Sequence, residues 1–139
     1  MNRLAQIFIC NQVQGGNENQ PSILVNPMLT IPLLAIPNNF SFVISLLTTG
    51  IDYSEVEKFS IKVLNLDANN YNRRISFSNT LPKDNYIDAS NTTAQNTAFN
   101  FEMNNFIFRN EGMYQVEITI DEDKFVQNFN VAVVDEGDL

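Results

Sequence analysis

Between residues 99 and 134 the chain keeps a side-chain period of two, and few folds can accommodate it. Tyr114, Val116, Ile118 and Ile120 are separated by Gln115, Glu117 and Thr119. That spacing puts the apolar side chains on one face of a strand and the polar ones on the other, so one face enters a core and one stays in water. Asp121, Glu122, Asp123 and Lys124 interrupt the run with turn-compatible, solvated side chains. Phe129, Val131 and Val133 then resume alternation against Asn128, Asn130 and Ala132, so the unit reads as an antiparallel hairpin. Upstream, Phe99, Phe101 and Met103 alternate with Asn100 and Glu102, and the Asn104-Asn105 pair breaks that run before Phe106-Ile107-Phe108. This predicts a third strand contributing to the same core.

Similar patterning extends towards the N-terminus. Residues 4–13 read as a first strand, ended by the polar, Gly15-Gly16-containing stretch 14–21. Ile23-Leu24-Val25 reads as a short buried strand. Pro27, Pro32 and Pro37 prevent residues 28–36 from forming a central helix or inner strand, leaving an edge strand or an extended covering loop. Residues 40–48 carry apolar side chains on both faces, as in a central strand. Residues 54–58 suit a single turn. Phe59, Ile61 and Val63 begin another strand, and Ala68-Asn69-Asn70 turns it into a return strand carrying Tyr71, Arg73, Ile75 and Phe77. Arg73 sits on the apolar side as a strand-end arginine whose stem can lie along the core rim. Residues 79–96 are polar and unpatterned and read as a long loop of the kind that is often functional. The fold expected is all-β: an immunoglobulin-like antiparallel sandwich of about seven to nine strands. Residues 1–139 form one domain, with an acidic tail at 135–139. Its core is expected to hold Ile7, Ile9, Phe42, Ile44, Ile61, Val63, Ile75, Phe77, Phe99, Phe101, Tyr114, Val116, Ile118, Phe129 and Val131.

Glu111-Gly112-Met113-Tyr114-Gln115-Val116 resembles the start of the strand in immunoglobulin-like sandwiches where a tyrosine precedes a core residue by two positions and its hydroxyl bonds upstream backbone. Val116 stands where antibody domains carry a cysteine, so only the packing half of the motif is kept. The other reading is an ordinary core aromatic behind a turn glycine. More broadly, three features look like a family of small bacterial and prophage-associated all-β proteins with no assigned function. They are Cys10-Asn11 closing the first strand, a glycine-containing loop before Ile23-Leu24-Val25, and the segment Phe106, Phe108, Glu111, Gly112, Tyr114, Val116, Ile118. The likeness is better towards the two ends than over residues 50–96. It implies a β-sandwich and carries over no catalytic or binding residue.

The available chemistry is narrow. There is no histidine, and the single cysteine, Cys10, lies in an apolar strand, which removes the usual nucleophilic triads and zinc sites. Carboxylate pairs remain, but none stands in an apolar stretch that would raise one pKa, so a carboxylate-dependent enzyme is disfavoured. Asp121, Glu122 and Asp123 lack the spacing of a calcium loop. No cofactor is implied. The lack of tryptophan weakens a carbohydrate-binding reading. The Asn-x-Ser/Thr matches at Asn39 and Asn91 are expected by chance among twenty-one asparagines, whose abundance reads as codon bias.

The net charge is −8, and residues 111–139 hold eight acids against Lys124 alone. Such a chain repels phosphate backbones and anionic lipids, so neither nucleic acid nor membrane is expected as a partner. The N-terminal apolar run is too short, and Ile9 too large, for a cleaved signal, and one unpaired cysteine fits a reducing cytoplasm. The function expected is a non-enzymatic protein-binding or structural accessory module. It would be carried by a bacterium or its phage, bind a protein partner and be free to form a homo-oligomer through its strand edges. The alternative is an acidic inhibitor of a host nucleic-acid-binding or defence protein. Its candidate contact patch is Glu117, Asp121, Glu122 and Asp123.

Overall fold

The computed structural model describes residues 2–15, 21–67, 74–81, 92–93 and 96–138. Ten strands make up two five-stranded sheets: β1 (Leu4–Gly15), β2 (Ser22–Pro27), β3 (Thr30–Leu33), β4 (Asn38–Thr49), β5 (Phe59–Asn65), β6 (Arg74–Leu81), β7 (Thr92–Thr93), β8 (Asn96–Phe108), β9 (Gly112–Ile120) and β10 (Asp123–Val133). One sheet has the order β2-β1-β4-β8-β7 and the other β3-β10-β9-β5-β6. Apart from β2, inserted between the first strand and β3, this is the A-B-E-D and A′-G-F-C-C′ order of an immunoglobulin-like sandwich. Nine strands are longer than two residues, in line with the seven to nine expected. All pairs are antiparallel except β3 with β10, which is parallel.

The two inner faces meet over side chains chosen by the period-two pattern. Twelve of the fifteen expected core residues are buried. Phe42 of β4 and Phe108 of β8 face Tyr114 of β9 and Phe129 of β10. Ring centroids lie 5.3 Å apart for Phe108–Tyr114 and 5.6 Å apart for Tyr114–Phe129. Such contacts add about 0.5–1.5 kcal/mol per pair beyond area burial. The Tyr114 hydroxyl donates to the Asn110 carbonyl at 2.8 Å, so the tyrosine corner is present and the ordinary-aromatic reading is set aside. Gly112 makes it accessible. Its φ of 119° suits glycine alone, and a Cβ there would strike the Asp67 carboxylate that accepts the Met113 N–H at 2.9 Å.

Several expectations are corrected. Ile75 is 52% exposed, and Phe77 and Phe101 are only half-buried. β6 is a sheet edge, and a register shift opposite Val63 and Leu64 disturbs its alternation. Ile23-Leu24-Val25 is no buried strand: β2 is also an edge, and Ile23 is 52% exposed. Asn104-Asn105 does not end a strand. It forms a bulge in the continuous β8, with Asn105 at φ 54° and its N–H donating to Ser41 Oγ at 3.0 Å. Within the expected polar loop over 79–96 the described residues are strand: β6 runs to Leu81, β7 takes Thr92–Thr93 and β8 starts at Asn96. Residues 82–91, the Ala68-Asn69-Asn70 turn, Tyr71 and Arg73 lie outside the described residues. The acidic tail forms one 3-10 turn over Glu136–Asp138. Cys10 is buried on the outer face of its sheet, its thiol donating to the Val43 carbonyl at 3.7 Å.

Two substitutions test the join between sheets by urea unfolding. Phe108→Ala is expected to cost about 3–5 kcal/mol, as a large buried ring leaves a cavity. Tyr114→Phe should cost about 1 kcal/mol, the usual worth of one such hydrogen bond. A neutral Tyr114→Phe would mean the corner bond contributes nothing.

Candidate functional site: a groove between two free strand edges

The segment joining β2 to β3 determines where this fold can accept a partner. β2 pairs with β1 only from Cys10 to Gly15, and β3 pairs with β10 only from Asn130 to Val133. Between them the chain steps from one sheet to the other at Met28 and Leu29. The Met28 N–H donates to the Ile9 carbonyl at 2.8 Å, and the Asn130 N–H donates to the Leu29 carbonyl at 2.7 Å. Ile9 and Asn130 therefore turn their backbone groups away from β4 and β9. Alternation aims those of Ala5 and Ile7, and of Lys124, Val126 and Asn128, towards the same open side.

A groove of about 820 Å³ lies between these two edges. Ala5, Ile7, Ile9, Met28 and Phe125 give it an apolar floor, and Lys124 and Gln127 stand on the β10 side. Gln127 partly covers its own edge: its side-chain amide donates to the Asn128 carbonyl at 2.9 Å. Met28 and Leu29 close one end. Across the other, Arg3 meets Asp123 at 2.6 Å, with both side chains about two-fifths exposed.

Beyond that ion pair is a second depression, lined by Glu55, Glu57, Asp121, Glu122 and Asp123 together with Arg3 and Lys58. Asp121 builds it. Its carboxylate accepts the Glu57 and Lys58 N–H groups at 2.9 and 3.0 Å, while its own N–H donates to the Lys58 carbonyl at 2.8 Å. The bonds from the Lys58 and Glu57 backbone hold the Asp121 carboxyl below its usual range. Behind the depression the Tyr53 phenol, 2.7 Å from the Thr48 hydroxyl, is pushed up to about 12 by burial. Among the described residues no three His, Cys, Asp or Glu side chains converge as a metal-holding group.

Of the four acids expected to form one patch, the turn brings Asp121, Glu122 and Asp123 together and leaves Glu117 out. The Glu117 side chain is only 12% exposed and pairs with Lys124 at 3.0 Å. Asp121 is anchored on one side, because its Oδ1 accepts both the Glu57 and the Lys58 N–H. Sequence reasoning missed Glu55 and Glu57. The signal was the lone apolar Val56 between them, which is fully buried and so turns both neighbours outward.

The model of a family of unknown function, DUF6941, matches residues 6–133. The chain belongs to that family. No curated protein matches it in sequence. Among solved structures it is similar to the β-glucosidase of Listeria innocua in complex with glucose, at 10% identity and a TM-score of 0.45. That match covers 94% of this chain and 16% of the enzyme. It is also similar to the soluble domain of PmoD from Methylocystis sp. ATCC 49242, at 10% identity and a TM-score of 0.42, with 92% and 90% covered. A β-glucosidase from Kluyveromyces marxianus aligns at 13% identity and a TM-score of 0.40 over 76% of this chain and 14% of that one.

The lowered Asp121 carboxyl makes stability acid-sensitive. A group whose folded pKa is depressed stabilises the fold above the ordinary carboxylate pKa and loses that effect as pH falls through the lowered value. Unfolding midpoints of the wild type should therefore drop below about pH 4. Asp121→Asn keeps an acceptor oxygen and tolerates φ 54°, and should show a flatter pH profile over that range. Equal slopes in both proteins would remove Asp121 as the cause.

Proposed function

We propose that this chain is a non-enzymatic protein-binding module that recognises its partner by strand addition in the groove between β1 and β10. The observation that carries this reading is a pair of edges, one on each sheet, that no strand covers among the described residues and that face a single groove with an apolar floor. Unpaired backbone donors and acceptors offer a partner strand main-chain hydrogen bonds, and the floor between them accepts alternate side chains. The setting proposed is the reducing cytoplasm of a bacterium, with the protein encoded by that bacterium or by its phage, among small accessory proteins. No helix among the described residues is long and apolar enough to cross a membrane.

The acidic-inhibitor reading draws on the carboxylates around the β9–β10 turn. It is the weaker of the two, because Glu117 is paired with Lys124, and Arg3 and Lys58 stand among the remaining acids. A carboxylate-dependent enzyme has less support still, since a general acid needs a raised pKa and Asp121 is held low.

Ala5 lines the groove, is half-buried and packs on the rim of the core, so Ala5→Trp should project its ring into the groove, with urea unfolding to check that the core still holds. Affinity capture from bacterial lysate is expected to recover a partner with the wild type and to lose it with Ala5→Trp, at unchanged circular dichroism. Equal recovery with both would place binding elsewhere.

A further inference from the structure

We infer that the groove takes an extended peptide segment with apolar side chains at alternate positions and a lysine or arginine at the end that reaches the β9–β10 turn. This rests on the strand-addition reading and adds the chemistry of the partner. The groove has an apolar floor of Ala5, Ile7, Ile9, Met28 and Phe125 with Gln6, Lys124 and Gln127 along its sides, and its carboxylates gather beyond one end only. There Glu55, Glu57, Glu122 and Asp123 surround the point where Arg3 meets Asp123.

Arg3 shows what that end receives. Its guanidinium lies 2.6 Å from the Asp123 carboxylate across the mouth, in a depression where five carboxylates face two bases. Both partners of this pair are substantially exposed, so the pair itself is weak and its exchange for an incoming cation is cheap. A second basic side chain would enter a surplus of negative charge. Along the groove, an added strand sends every other side chain inward towards Ile7, Ile9 and Phe125, which favours apolar residues at those positions.

A second copy of this chain is the rival occupant. Its charge argues against it: each molecule carries a net −8, and two copies meeting at these edges would bring the β9–β10 turn carboxylates towards another acidic molecule. The same charge steers a basic segment towards the site.

The test pans the full-length wild-type chain against a phage-displayed library of random peptides of about twelve residues, long enough to span a strand with flanks. Binding is then mapped from amide chemical shifts. Expected are peptides with alternating apolar residues and a terminal Lys or Arg, which shift the amides of Ala5, Ile7, Lys124 and Val126. Against the exposed-site variant Glu55→Lys/Glu57→Lys/Glu122→Lys their affinity should fall about tenfold, and by less at high salt. Panning on that variant should return alternating peptides without the basic end. The peptide preference of the wild type decides the matter even where the variant folds poorly. Alternating peptides that bind the groove without a basic preference would overturn this inference and leave strand addition standing. Peptides that shift only amides elsewhere, or no enriched peptide, would overturn both. A dimer by light scattering whose groove amides are protected from exchange would identify a second copy as the occupant and overturn the inference.

Discussion

Backbone hydrogen-bonding groups must be satisfied, and in this molecule residues 22–33 decide which remain open. A sandwich strand buried on one face still presents a row of N–H and C=O groups along any free edge. Here one short segment covers the far half of β1 as β2 and the far half of β10 as β3, and cannot reach the near halves of either. Met28 and Leu29 are the point of exchange, each bonded to a different sheet. The inner faces close over the aromatic contacts of Phe42, Phe108, Tyr114 and Phe129, so the sandwich does not depend on the uncovered edges. Function can be placed there at little cost to the core.

The edges nevertheless carry some protection. Lys124 stands on the β10 edge, and a charged side chain there discourages indiscriminate strand pairing. Gln127 covers the Asn128 carbonyl, and Arg3 bridges the groove mouth to Asp123. These covers are side-chain contacts at exposed positions, so a matched strand can displace them, whereas the backbone ladders of β1 with β4 and β10 with β9 remain. An edge guarded in this way is better suited to selective pairing than to general aggregation.

How much could be read from residue order depended on whether a side chain faces one neighbour or several. On β9 the inward residues Tyr114, Val116, Ile118 and Ile120 were legible from their alternation, and so was the tyrosine corner, which needs only Gly112, Tyr114 and the chain just upstream, but the other face was not: Gln115 is buried and Glu117 nearly so. Ile75 was not. Its alternation is intact in the sequence, but an edge position and a register shift on β5–β6 leave its face uncovered, and neither is encoded locally. The groove was half legible: the prolines at 27, 32 and 37 excluded an inner strand, yet which part of β10 stayed bare depends on its pairing with β3, one hundred residues away in the chain. The acidic depression was misjudged for the same reason. Asp121 reaches backbone 63 and 64 positions upstream, and that long-range bond turns a solvated turn residue into a structural one while drawing in Glu55 and Glu57.

Asparagine, read as compositional background, has local structural uses here. The non-glycine residues in the left-handed region, among those described, are Asn26, Asn105 and Asp121, each at φ 54°. Asn and Asp enter that region more readily than other side chains, because their short polar groups can bond nearby backbone. All three stand where a strand would otherwise run straight on. Asn105 makes the β8 bulge, and Asp121 starts the turn that carries the acidic end of the groove. Asn26 lies at the end of β2, where the chain leaves β1 and heads for the other sheet, next to the Pro27 that opposes further inner pairing. A chain with five glycines has few other residues for such corners, so a composition biased towards asparagine also supplies the bend at which β1 loses its cover and the groove begins.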